Sequence, residues 1–486
     1  MVKAYQGNSP VLNSTDCFLL IIISFFALFT RLWMIAEPSK VIFDEVHFGN
    51  FSAWYIQNRF HFDIHPPLGK MLMGFIAGTT QYKGDIDFAN KFGEDYRVDE
   101  LFFVSQRITP AVFSAMTSPL LFCAMRCLSV PSFFAASAGL ILTTDMSLIV
   151  EGKFILSDGM LHFFTCLHIF AFCLFMNKAT PWRTIFAGVT MGAAMACKYT
   201  ALGLIAVDGM SQLVWIIMNF PPIIEIIERG VLMLVPAFFT FISAWILHFV
   251  ITPYTGYNSE YINAKHATTL IPWGKENVTY WGNRLIGSGF IERIIEWNIV
   301  MNRINMRSDI PHPYESYPKY WPLLMDKFVG FYHAPNRNIY CLGSPATYWL
   351  SSVAIGLTFV AALFRKIDWR NILLTWAWAV SYFPFVLVPR TMFMYHYLVP
   401  LMFAIMNMCC LIYSALPEGI SDAVMMLVLV VSIACYVYYR PWIYGLECPS
   451  CQSTHMWSHH WHKGYDKPIY TDILKMYNTT ERYATI

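Results

Sequence analysis

Charge is what this sequence has least of. Only 13% of its 486 residues are Asp, Glu, Lys or Arg, about half the share of an ordinary soluble domain. A formal net charge of +2 excludes a strong field for nucleic acid or an acidic partner. No internal repeat and no low-complexity tract is present. The 12 cysteines supply no disulfide framework, because Cys123, Cys127, Cys166, Cys173, Cys197, Cys409, Cys410 and Cys435 sit inside apolar runs as small hydrophobes. What the chain does have is 56% hydrophobic and 17% aromatic residues. That composition belongs to an integral membrane protein.

A helix crosses a bilayer with about 20 mostly apolar residues. By that measure the chain is an all-α polytopic protein with about eleven spans, near 16–36, 103–125, 130–149, 154–176, 184–201, 203–220, 230–252, 345–364, 371–389, 392–414 and 421–439. The first run ends at Arg31-Leu32-Trp33 without a small-residue cleavage site and reads as a signal anchor. Basic residues in short loops mark the cytoplasmic side. Lys178 with Arg183, the trio Arg365, Lys366 and Arg370, and Arg126 and Arg229 are such residues. Alternation then places the N-terminus in the cytoplasm and segments 37–102, 253–344 and 440–486 on the far side. The sequons at Asn50, Asn277 and Asn478 also fall on that side. Four regions follow: an N-terminal transmembrane region, residues 1–252, holding the loop 37–102; a loop 253–344 rich in Pro, Trp and Tyr; C-terminal spans 345–439; and a Cys/His/Trp-rich tail 440–486.

The densest polar cluster lies in "VIFDEVHFGNFSAWYIQNRFHFDIHPPLGK", residues 41–70, just beyond the first span. Phe48, Phe51, Trp54 and Tyr55 recur at helical spacing and predict a short amphipathic helix at the membrane interface. Asp44 stands at its start, where an Asp caps well, and Glu45 follows in the first turn. The chemical alternative is a general base with a second carboxylate tuning it. Cations stand at the same boundary: Arg107, Lys153, Lys198, Arg390 and His396 all fall near far-side span ends. Snorkelling accounts for one or two such residues more readily than for five. Gathered together, they suit a lipid-linked phosphate. Carboxylates for an acceptor and cations for a phosphate leaving group make a glycosyl-transfer site. His61 and His65 fit phosphate contacts better than a metal.

These blocks also carry a resemblance. "DEVHFGNFSAWYIQ…FDIHPPLGK", "SQR", "GKFILSDGMLHFF", "CKYTALGL", "YPKYWPLL", "NIYCLGSPATYW" and "MFMYHYLVPLMFA" run in order over nearly the whole chain. Together they resemble the protein O-mannosyltransferase family. The resemblance implies the GT-C glycosyltransferase fold and inverting transfer of mannose from dolichyl phosphate mannose to Ser or Thr of secretory-pathway proteins. It also implies action as a homodimer or a heterodimer with a paralogue, and residence in the endoplasmic reticulum membrane, or the plasma membrane for a bacterial source. By matched position it implies Asp44 as base, Glu45 as its partner, Arg107 as a catalytic cation, and His65, Lys70, Lys198 and His396 around phosphate or acceptor. Residues 1–252 then form the catalytic region. The chemistry requires no metal cofactor, because cations suffice for a departing phosphate.

Two departures stand out. The loop 253–344 is too short for the MIR domain, a β-trefoil that eukaryotic members usually insert there. Lys153 stands where the family commonly shows arginine, which keeps charge but loses the bidentate fork. In the tail, Cys448, Cys451, His455 and His459 have metal-like spacing, against which a Cys448–Cys451 disulfide competes. Rival functions are a transferase of another polyprenyl-phosphate sugar or to a lipid acceptor, a transporter, and a non-catalytic partner of a paralogue. Charges at one face and the lack of a repeat disfavour transport.

Overall fold

The computed structural model describes residues 12–91, 93–96, 100–258, 261–274, 289–307, 312–364 and 367–464. Asn277, Asn478, Arg365 and Lys366 lie outside the described residues. The helices are α1 (Ser14–Leu32), α2 (Glu45–Ile56), α3 (Leu68–Gly78), α4 (Glu100–Cys127), α5 (Ser132–Thr143), α6 (Met146–Lys153), α7 (Asp158–Asn177), α8 (Pro181–Cys197), α9 (Gly203–Asn219) and α10 (Ile223–Ile251). They continue with α11 (Phe290–Arg307), α12 (Pro345–Leu363), α13 (Trp369–Tyr382), α14 (Leu398–Ala415) and α15 (Ile420–Tyr444). Short strands are β1 (Arg59–His61), β2 (Tyr254–Tyr257), β3 (Val329–Ala334) and β4 (Arg337–Cys341).

Each expected span has a helical counterpart, but the count of membrane-crossing helices changes. Among the described residues eight helices are long and apolar enough to cross, or nine with the bent pair α5–α6. The others are short: α8 has 17 residues and α13 has 14.

The segment expected as one span at 130–149 is two helices bent by 56°. Asp145 causes the break by capping α6, its Oδ1 accepting from the Leu148 N–H at 3.0 Å. Arg31, buried in α1, donates to the Thr143 and Leu142 carbonyls exposed at the end of α5, at 2.5 and 3.3 Å. Freed backbone groups at bilayer depth need such partners. The fourth span consequently starts at Asp158, and Lys153 ends α6 instead of opening that span.

Close helix packing sets where α8 delivers its C-terminal residue Lys198. Gly188 and Gly192 form a small-xxx-small pattern against α10. A Cβ on Gly188 would meet the Met233 carbonyl oxygen at 2.1 Å, and one on Gly192 the Ala237 oxygen at 2.3 Å. Gly188→Leu is expected to force these helices apart and to lower the thermal midpoint of the detergent-solubilised protein, at a cost of about 1–3 kcal/mol or more. Gly209→Ala, where a Cβ meets nothing, should leave the midpoint unchanged. On the other side of the bundle, Asn371 donates to Asn407 Oδ1 at 2.8 Å and Asn407 to Thr358 at 3.0 Å, joining α12, α13 and α14.

The basic loop residues gather at the end opposite Asp44. Arg126 pairs with Asp16 at 3.0 Å, and Arg370 reaches the Ser129 carbonyl at 3.2 Å. On the far side, β1 pairs in parallel with β2, tying loop 37–102 to the exit of α10. β3 and β4 form an antiparallel hairpin. Segment 253–344, expected as a loop rich in Pro, Trp and Tyr, therefore carries strands and the 18-residue helix α11. α2 also differs from expectation. Val46, Phe48, Phe51, Ala53 and Tyr55 are buried on more than one face, and the Phe88 ring covers Gly49. It is a core helix of the far-side layer, since loop 37–102 folds back over the side expected to meet lipid.

Candidate active site

Glu45 and Arg107 are both 0% exposed and form a bidentate pair. Arg107 Nε donates to Glu45 Oε1 at 2.7 Å and Nη2 to Oε2 at 2.9 Å. Nη1 donates to the Ile35 and Pro38 carbonyls, at 3.2 and 3.0 Å, and Nη2 also to Lys40 at 3.0 Å. All the guanidinium N–H groups are thus in use. Glu45 is equally saturated: Oε2 accepts from Ile42 N–H and Oε1 from Ile155 N–H, each at 3.1 Å. Glu45, expected as partner to the base, and Arg107, expected as a catalytic cation, are thus engaged with each other and with backbone groups. The pair fastens loop 35–45 to α4 and the α6–α7 turn, which fixes the residue next to Glu45.

That residue is Asp44. It is half-buried and makes no side-chain cap to α2, so the capping reading does not hold. The Tyr395 phenol lies within the fields of Asp44, Glu151, Asp158 and Arg390. Glu151 in turn feels Asp158, Lys198 and Asp44, and Cys341 Sγ donates to it at 3.3 Å. Asp44 therefore belongs to a cluster drawn from the start of α2, the end of α6, the start of α7 and the turn before α14.

The cations meet the same cluster. Lys198 reaches both Asp158 oxygens, at 3.0 and 3.1 Å. His396 Nδ1 is engaged by the Phe393 backbone at 2.8 Å. Arg390 donates to the Asn305 side chain of α11. Lys70 is ion-paired with Asp63 and donates to the His65 carbonyl at 2.8 Å. Burial, followed by the charges of Lys198, Lys70, Arg390 and His396, holds His65 well below the ordinary histidine range. His65 is thus held as a neutral imidazole facing the cations Lys198, Lys70 and Arg390, a field that an incoming anion would relieve.

Lys153 is not in this group. Its Nζ lies 3.3 Å from the Met34 carbonyl and 4.3 Å from the centre of the Tyr444 ring. Residues two apart on a helix point away from each other, so Glu151 meets the cluster and Lys153 turns to α1 and α15. His61 is a core residue, stacked on Phe51 at 5.2 Å with Nδ1 3.2 Å from the Arg59 carbonyl. In the tail, Cys448 and Cys451 form a disulfide and His459 is exposed, which removes the zinc reading. Among the described residues no group of three or more His, Cys, Asp and Glu could hold a metal ion.

Sequence reasoning missed Glu151, Asp158, Asp63 and Tyr395 as members of the site. Glu151 and Asp158 carried a usable signal, since carboxylates inside apolar segments are expensive and rarely idle.

Burial holds several far-side histidines neutral: His61 and His266 are pushed down to about 3 and His312 to about 4. The unfolded chain takes these protons near pH 6.5. The stabilisation is therefore complete above that pH and is lost as pH falls toward the folded values, by roughly 1.4 kcal/mol per pH unit per histidine. The thermal midpoint in detergent should drop between pH 7 and pH 5. A flat profile would contradict neutral burial.

Residues 21–271 match the family described as dolichyl-phosphate-mannose-protein mannosyltransferase. Residues 290–463 match the C-terminal four-transmembrane region of protein O-mannosyltransferase. Mannosyltransferase 3 of Saccharomyces cerevisiae is 33% identical over 212 residues, 42% of this chain and 28% of that protein. Mannosyltransferase 4 of Candida albicans is 25% identical over 269 residues, 52% of this chain and 35% of that one. The chain thus matches about a third or less of the length of these relatives. The S. cerevisiae Pmt1–Pmt2 complex bound to the sugar donor shares the fold at a TM-score of 0.82 and 18% identity, covering 98% of this chain and 96% of the other.

Proposed function

Because the chain belongs to the protein O-mannosyltransferase family, we propose that it transfers mannose from dolichyl phosphate mannose to Ser or Thr hydroxyls of polypeptides. Asp44 accepts the hydroxyl proton as the oxygen attacks the anomeric carbon. The bond from that carbon to the phosphate oxygen breaks on the opposite face, giving inversion, and dolichyl phosphate departs. Lys198 and Arg390 hold the charge growing on the phosphate, with His65 and His396 as neutral hydrogen-bonding imidazoles beside them. Lys198 retains at least one ammonium N–H beyond those given to Asp158. Glu45 and Arg107 act as positioning residues, and no step calls for a metal.

One observation carries this reading above the others. A half-buried carboxylate and a set of cations converge at the far-side ends of α3, α7, α8 and α14, where a lipid phosphate and a polypeptide can meet. The endoplasmic reticulum membrane is the proposed location. Pairing with a second family member is proposed by analogy with the Pmt1–Pmt2 complex.

Purified protein should transfer mannose from dolichyl phosphate mannose to a Ser/Thr peptide. Dolichyl phosphate glucose should give no product. Equal use of both donors, or transfer only to a lipid acceptor, would refute the assignment.

A further inference from the structure

The tail contains a second reactive cluster that sugar transfer does not use. Cys448-Pro449-Ser450-Cys451 closes a disulfide on the surface turn that follows α15. Pro449 and Ser450 are exposed and Cys448 is half-buried, whereas Cys451 is 2% exposed. The two sulfurs are therefore unequal, and a thiol arriving from solvent reaches Cys448. His455 lies behind the other one, its Nε2 3.4 Å from Cys451 Sγ. The same Nε2 is 2.8 Å from the Tyr438 carbonyl, so it carries the hydrogen. Tyr438 stacks on the ring at 4.2 Å and Thr454 engages Nδ1 at 2.8 Å. That N–H is given to the Tyr438 carbonyl at rest and lies close enough to Cys451 Sγ to be shared with a thiolate formed there.

We propose that Cys448–Cys451 is a thiol–disulfide exchange site for cysteine thiols of polypeptides on the far side of the membrane, with His455 stabilising the leaving Cys451 thiolate. A substrate thiolate attacks Cys448 Sγ. The Cys448–Cys451 bond breaks, a mixed disulfide to Cys448 forms, and the electron pair moves to Cys451, beside the His455 N–H. Attack by a second substrate thiolate on the substrate sulfur releases Cys448. The substrate dithiol becomes a disulfide and the pair is left reduced; oxidised glutathione would restore it. Leaving-group stability is one of the factors that set the rate of such exchange.

The location favours a polypeptide over a small thiol. The Cys448 N–H donates to the Asn336 carbonyl at the outer end of the β3–β4 hairpin, and Gln452 donates to Tyr340 in β4 at 2.9 Å. The inner end of β4 is Cys341, in contact with Glu151. Five residues of strand span about 17 Å. An extended chain at Asp44 can therefore reach Cys448. That this chain also receives the sugar rests on the proposed transferase reading; the exchange chemistry does not.

The test uses the full-length protein in detergent, equilibrated with glutathione buffers, then alkylated and analysed by mass spectrometry of the peptide spanning Cys448 and Cys451. The disulfide is expected to open at millimolar reduced glutathione, where structural disulfides stay closed. Persistence until a phosphine reductant is added would overturn the proposal. Cys451→Ser, given a Ser/Thr peptide whose cysteine is carried as its glutathione disulfide, should form a one-to-one mixed disulfide at Cys448 with release of glutathione, and absence of this adduct in folded protein would also overturn it. His455→Gln should slow opening by about three- to tenfold, whereas an unchanged rate would remove His455 from the chemistry. None of these readouts depends on mannose transfer, so failure of one reading leaves the other standing.

Discussion

Asp44→Asn is expected to lower kcat for mannose transfer by about a hundredfold to ten-thousandfold, the usual contribution of a positioned general base. The change keeps the shape of the side chain and removes its charge and its ability to take a proton. Asp44 makes no cap to α2, and the adjacent Glu45–Arg107 pair keeps all its own hydrogen bonds. The thermal midpoint and the affinity for dolichyl phosphate mannose are measured on the same variant, and a loss of kcat larger than the change in either assigns the effect to the chemical step. Single-turnover transfer to a peptide, measured beside donor binding, separates the two effects. Transfer at wild-type rate would remove Asp44 as the base and leave Glu151 as the next carboxylate to examine.

Arg107→Ala should act in the opposite way, through folding. It strands Glu45 as an unpaired buried carboxylate and also deprives the Ile35, Pro38 and Lys40 carbonyls of their donor. Breaking a buried pair of this kind costs about 3–5 kcal/mol. The variant should be recovered poorly from membranes, with a markedly lower thermal midpoint. Replacing both residues with methionine should restore some of the loss, since an apolar pair of similar volume avoids the stranded charge, while the three orphaned carbonyls prevent full recovery. A folded Arg107→Ala protein whose only defect is a raised KM for the donor would instead restore Arg107 as a phosphate contact.

These two residues show where sequence reasoning worked and where it ended. The stretch from Asp44 to Lys70 announced itself, because polar groups beside a bilayer are costly and conspicuous. The family resemblance favoured Asp44 over Glu45 as the base, but spacing alone could not separate the two. Adjacent residues point in different directions, and only the fold shows Glu45 turned inward onto Arg107. The cations divide in the same way. Lys198 and His396 reach the cluster, Lys70 is occupied by Asp63, and Lys153 turns toward Tyr444. Lys153, Lys198 and His396 had looked alike as charges at span ends.

The sequence by itself determined the class of protein, the order of its helices, and the family. Those properties depend on local hydrophobicity and on motifs continuous in the chain. Tertiary structure decided which ionisable groups meet, that a span breaks at Asp145, and that the Cys448–Cys451 pair is a disulfide and not a zinc ligand set. Each of these depends on distances between residues far apart in the chain, or on the direction of a side chain from its helix. Neither quantity is written in composition or spacing.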